Sequence, residues 1–284
     1  MSSFPIVLNS SNAILTNGYY NTFQYNFING FFTVSKDSEM TLTQFTLPYS
    51  WFNVNSTFYN NASFQYNWTV GTTVSTFTIT LPNGYYSISD INNYLQLKMI
   101  DNGHYLINAS GQNVYYLNIS LNTTYYSNML ISYAVPTSLP TGYSQPSNFA
   151  GYPTTTKTPQ FIVLNNNFGS IIGYSAGSYP PVAQSTNYST IGNIVPNGAP
   201  VNSVIVRCSL VFNPVSSTTD ILDSFAITSS FGSNINYSPP FEKAVKIRAG
   251  KYSQLTITLF DQSLNPLPNQ DPNVLINLLI KMKE

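Results

Sequence analysis

Charge is the scarcest feature of this sequence. Only 7% of its 284 residues are Asp, Glu, Lys or Arg, against roughly 25% in an ordinary soluble domain. Ten cations balance ten anions. No basic surface is available for specific nucleic-acid binding, and little net repulsion keeps copies apart. Cys208 is the single cysteine, which excludes an internal disulfide framework and fits folding in a reducing compartment. His104 is the single histidine. One His and one Cys cannot build a zinc site. A nucleophilic triad would need an acid and a serine beside His104, yet residues 102–104 read as a loop after a helix. The nearest carboxylate pairs, Asp220 with Asp223 and Asp261 with Asp271, fall in turn-like contexts and make poor glycosidase pairs. Phosphate-cradling glycine loops and EF-hand spacing are also missing. No enzyme activity, cofactor or metal is expected. No 18-residue apolar run predicts a membrane span. The N-terminus lacks the pattern of a secretory signal, so sequons such as those at Asn61 and Asn187 are expected to stay unmodified.

What is present is apolar and aromatic. Hydrophobic residues make up 43% and aromatics 15%, enough for a large core. The length suits one large β domain or two units. Alternation with period two predicts strands. Phe23, Tyr25 and Phe27 share a face; so do Phe64, Tyr66 and Trp68, and Phe77, Ile79 and Leu81. Met40 and Leu42 face one way, then Phe45 and Leu47 take over, which predicts a bulge near Thr43-Gln44. Further strands are expected around 105–107, 115–121, 125–133, 203–213, 222–230, 255–259 and 274–283. Ile91, Tyr94, Leu95 and Met99 recur at helical spacing between Ser89, a predicted N-cap, and Gly103. This is the one helix expected. Many strands and one short helix indicate an all-β antiparallel sandwich; strand count does not choose between a jelly roll and an immunoglobulin-like order. Residues 135–200, rich in Pro, Gly, Ser and Tyr, read as an elaborated loop region or an insertion in one domain spanning 1–284. Residues 1–18 read as a candidate N-terminal arm.

The run LPYSWFNVN at 47–55 holds Tyr49, Trp51, Phe52 and Val54 without a charge. Pro48 is expected to end a strand, with Trp51 and Phe52 turning inward to seal the sandwich. Trp68 is in strand register with Phe64 and Tyr66, and Cys208 shares a face with Val204, Val206 and Leu210; both are read as core. Charges are uneven, seven in 1–200 and thirteen in 201–284. Glu242, Lys243, Lys246, Arg248 and Lys251 form the densest group. A solvated strand edge accounts for it simply; this group and the 135–200 loops are also the candidate partner-facing surfaces.

The order of several short motifs resembles the penton (vertex) capsid proteins of virophages and Polinton-like viruses. The motifs are Phe23-x-Tyr25-x-Phe27, KDSEMTL at 36–42, YSWFN at 49–53, Phe64-x-Tyr66-x-Trp68, LPNGY at 81–85, and Ile91-Asn92 with Tyr94-Leu95. Gly250-x-Tyr252, FDQ at 260–262 and DPN at 271–273 follow near the end. The resemblance covers about 20–120 and 200–284. It implies a single jelly roll that forms a homopentamer and plugs fivefold vertices of an icosahedral shell. Its neighbours would be capsomers of a double-jelly-roll major capsid protein, and its location the virion, after assembly inside the host cell. A host receptor or vertex fibre is a further candidate partner. The competing expectation is a carbohydrate-binding β-sandwich of a viral spike or adhesin, drawn from the Tyr- and Asn-rich composition.

Overall fold

The apolar alternation becomes strand along most of the chain. The computed structural model describes residues 2–122, 124, 127–216 and 218–282. In chain order, the first elements are β1 (Ser2–Leu8), β2 (Ala13–Thr16), β3 (Tyr19–Asn26), β4 (Phe32–Val34) and β5 (Glu39–Pro48). The middle of the chain forms β6 (Ser63–Val70), β7 (Thr73–Thr80), α1 (Ile88–Asp101), β8 (Tyr105–Ile107), β9 (Asn113–Tyr115), β10 (Leu117–Asn122) and β11 (Ser127–Ser132). It continues with β12 (Gln160–Val163), α2 (Asn166–Ile172), β13 (Gly177–Tyr179) and β14 (Tyr188–Ile191). The last part forms β15 (Ser203–Cys208), β16 (Ile221–Ala226), β17 (Asn234–Tyr237), β18 (Val245–Lys246), β19 (Gly250–Tyr252), β20 (Gln254–Asp261) and β21 (Leu275–Met282). Tyr125 and Lys283, each at one end of an expected strand, lie outside the described residues. The chain divides into two compact units, one made of 1–51 and 201–284, the other of Phe52–Pro200.

The first unit is a sandwich of two antiparallel sheets. One runs β1-β21-β5-β17, with β18 also on β5; the other runs β16-β15-β20-β3-β2. Along the chain, β1, β5, β17 and β21 go to the first sheet, and β3, β15, β16 and β20 to the second. This is the eight-strand, two-Greek-key order of a jelly roll, which settles the choice the sequence left open. Both sheets feed one core. Met40, Phe45, Ile276, Leu278 and Ile280 meet Phe23, Val206, Leu255, Ile257 and Leu259 there. Each such side chain contributes about 1.5–3 kcal/mol by leaving water. The face switch in β5 is a bulge: Leu278 is opposite Leu42 and Asn277 opposite Gln44, so Thr43 has no opposite residue. Residues 2–8 are no loose arm. They pair with β21 from Ser2↔Met282 to Leu8↔Ile276 and bury Ile6 and Leu8.

The second unit sits in the connection between the third and fourth jelly-roll strands. It holds a four-stranded sheet, β13-β12-β6-β7, a three-stranded sheet, β10-β11-β14, and the β8-β9 pair. Its core is separate: Phe64 stacks between Phe161 and Phe168 at 5.0 and 4.9 Å, and α1 adds Ile91, Leu95 and Met99. The composition of the sequence predicts that the irregular region begins at 135. The inserted unit starts at Phe52, and 135–200 supplies β12, α2, β13 and β14 to it. Two further readings are corrected. Ser87, not Ser89, caps α1, because Asp90 can then bond back to the Ser87 backbone in a capping box. A second helix, α2, follows Asn165, whose side chain accepts from the Phe168 N–H.

Candidate interaction surfaces

The LPYSWFNVN run straddles the unit boundary. β5 ends at Pro48. Tyr49 and Trp51 are buried in the jelly-roll core, their rings 4.5 Å apart, with Phe231 edge-on to Tyr49. Trp51 is 1% exposed. Its indole N–H has no acceptor among the described residues. Between these aromatics, the Ser50 hydroxyl donates to Asn269 Oδ1 at 2.6 Å and accepts from the Gln270 and Asp271 N–H groups. Phe52 is half-buried and opens the inserted unit. Asn53 then clamps that unit's two ends. Its amide donates to the Tyr86 and Gly198 carbonyls at 2.9 and 2.8 Å and accepts from the Tyr86 N–H. The stretch therefore combines an aromatic plug for one core with a polar clasp for the next.

The five clustered charges all have partners within the jelly-roll unit. Glu242 pairs with Lys281. That ammonium holds the Glu242 carboxyl below its ordinary range. Lys243 donates to the nearly buried Asp223 at 2.9 Å and to the Tyr237 hydroxyl at 3.0 Å. The Tyr237 and Asp223 contacts raise its pKa. Lys246 lies 3.5 Å from Asp37, both exposed. Arg248 sits over Phe212 at 4.9 Å and Lys251 over Phe31 at 4.9 Å. The group reads as a network of surface pairs and cation–π contacts; such exposed pairs contribute little individually.

The more prominent surface of this unit is aromatic. Tyr25, Phe27, Phe32 and Phe4 form a chain of ring contacts at 5.6, 5.2 and 5.4 Å. These residues are only partly covered. Beside them, Ile28 is 89% and Phe31 55% exposed. The cluster draws on β1, an edge strand of the first sheet, on the end of β3 inside the second, and on β4, which pairs with β19 alone. The sequence signal was the FFTV run at 31–34, which alternation alone left unassigned.

Cys208 is fully buried, its Sγ 3.6 Å from Met40 Sδ on the facing sheet; burial pushes its thiol up to about 12. Asp220 pairs with Arg207, and Asp261 accepts from the Ser263 and Asn265 N–H groups in a turn. In the inserted unit, His104 is buried. Trp68, itself 1% exposed, stacks on it at 4.5 Å, and Phe77 meets it edge-on at 4.6 Å. The Tyr66 hydroxyl accepts from the Asn102 amide at 2.8 Å and is 2.8 Å from His104 Nδ1. Burial lowers the His104 pKa to about 4, so the ring is a neutral packing element at neutral pH. Among the described residues, no cluster of three or more His, Cys, Asp or Glu side chains could hold a metal ion. No helix there is long and apolar enough to cross a membrane.

The inserted unit also carries an open cleft of about 520 Å³. Val114, Tyr115, Tyr116, Tyr133, Ala134, Pro136, Pro140, Tyr143 and Asn187 line it.

No protein-family model matches the sequence, and no curated protein does. Among solved structures, the chain is similar to the mavirus penton protein at 10% identity and a TM-score of 0.45, covering 99% of this chain and 98% of that one. It is also similar to a chain in the cryo-EM structure of the Sputnik virophage, at 12% identity and a TM-score of 0.39, covering 99% and 97%.

Proposed function

We propose that this protein is a structural capsid protein, the penton subunit of an icosahedral double-jelly-roll shell, and that it assembles as a homopentamer at the fivefold vertices. The observation that carries this reading is the exposed aromatic cluster around Phe4, Ile28, Phe31 and Phe32 on a charge-poor jelly roll. Apolar side chains left in water at a sheet margin mark a contact surface. A ring subunit covers such a margin with copies of itself and its base with neighbouring capsomers. The order of the YSWFN, LPNGY and FDQ motifs supports a vertex protein over other capsid roles. The inserted unit, fed out of one jelly-roll connection, is then the part available to meet a receptor or fibre.

The test is imaging of particles from cells that co-express this protein with a double-jelly-roll shell protein. Density for this chain is expected at the fivefold vertices. Its absence from closed particles, or its presence only away from the vertices, would overturn the assignment.

A further inference from the structure

We propose that the tyrosine-lined cleft of the inserted unit is a binding site for a neutral oligosaccharide. The cleft's size, about 520 Å³, lies within the roughly 300–1,000 Å³ of small-ligand sites. Its walls are fixed by backbone bonds. The Tyr133 N–H donates to the Tyr116 carbonyl at 2.9 Å, and the Tyr143 N–H to Pro140 at 3.1 Å. The Ala134 N–H donates to Asn187 Oδ1 at 2.9 Å, and the Asn187 amide N–H groups have no acceptor among the described residues.

The chemistry is that of a sugar. A pyranose offers C–H faces, which pack on aromatic rings, and hydroxyls that both donate and accept. Tyrosine supplies both kinds of partner from one side chain. The hydroxyls of Tyr116, Tyr133 and Tyr143 have no hydrogen-bond partner among the described residues. Tyr116 is the telling one. It is only 6% exposed, and its ring packs edge-on to Trp68 at 5.8 Å. Yet its hydroxyl is not sealed in the core; it opens on the cleft. A hydroxyl that reaches the cleft without a protein partner is satisfied by water there and is free to bond a ligand instead.

Charge argues for a neutral ligand. Residues 52–200 contain only Asp90, Lys98, Asp101 and Lys157 as charged side chains. Asp90 is spent on the α1 cap and Lys98 on Asp101, and none of the four lines the cleft. A proline-rich peptide would use the same aromatic faces. Proline lacks an N–H, however, so it would leave the acceptor side of three tyrosine hydroxyls unused.

The experiment is binding of the full-length protein to an array of neutral gluco-, manno-, galacto- and N-acetylchito-oligosaccharides, with a panel of proline-rich peptides in parallel. The best hit is then titrated by calorimetry. Tyr133→Ala and Tyr143→Ala are suited to the test because both side chains are over a third exposed and the fold does not rest on them. Each is expected to weaken binding at least tenfold, Tyr133→Phe only a few-fold, and Phe241→Ala in the jelly-roll unit not at all. No neutral glycan bound at millimolar concentration, peptides bound in place of glycans, or glycan binding unchanged in both alanine variants would overturn the proposal. None of these outcomes depends on the ring assembly, so this site and the vertex role fail separately.

Discussion

Trp51 and His104 are both buried aromatic side chains, and they answer to different perturbations. Trp51 plugs the jelly-roll core beside Tyr49. Trp51→Ala is expected to cost about 3–5 kcal/mol, the range for large aromatic deletions. Trp51→Phe should cost far less, because the indole N–H makes no hydrogen bond that would be lost. Denaturant unfolding of the two variants checks this; equal losses would contradict it. His104 responds to pH. Its pKa falls from 6.5 to about 4 on folding, so the unfolded chain binds the proton more readily. The stability it confers is present in full above pH 6.5 and is lost as pH falls to about 4. At 1.36 kcal/mol per unit, the loss is about 3 kcal/mol. Urea unfolding at pH 7, 5.5 and 4 should show it, and His104→Phe should flatten the profile in that window. Neither side chain needed the structure to be noticed. The inward turn of Trp51 was expected from the sequence; the role of His104 was not, because the Trp68 stack and the Tyr66 hydrogen bond join it to residues 36 and 38 positions away.

At the scale of elements, α2 shows a constraint that no periodicity reveals. A Cβ on Gly169 would stand 2.1 Å from the Tyr174 carbonyl oxygen. Gly169→Ala should therefore destabilise the inserted unit despite alanine's higher helix propensity. Thermal unfolding should show a lowered midpoint, and an unchanged or raised midpoint would contradict the close contact. The strands themselves were legible: β3, β5, β6, β7, β20 and β21 follow the alternation of their apolar residues, and the β5 bulge follows the face switch at Thr43-Gln44. Strand membership was not. Phe64, Tyr66 and Trp68 alternate just as Phe23, Tyr25 and Phe27 do, yet the first set builds the inserted core and the second lies in the jelly-roll unit. Alternation reports that one face is buried, not which sheet buries it. The same limit moved the boundary from 135 to Phe52. It also hid α2, whose seven residues span too few turns for a helical period and include a glycine.

At the scale of the whole molecule, the account joins a charge-poor jelly roll, an aromatic margin and a unit inserted between the third and fourth of its eight strands. Of the clustered charges, the most visible feature of the C-terminal sequence, Glu242, Lys243 and Lys246 pair with opposite charges of the same unit, and Arg248 and Lys251 lie over aromatic rings. The surface left for partners is apolar, and salt should therefore weaken assembly little. The most direct measurement is the mass of the purified protein by light scattering after size exclusion, across concentration, for the native chain and for Phe31→Asp. The account predicts a species near five times 31.5 kDa for the native chain, lost in Phe31→Asp while the monomer stays folded. A native mass that remains near 31.5 kDa at every concentration, or a ring indifferent to the charge placed at Phe31, would contradict it.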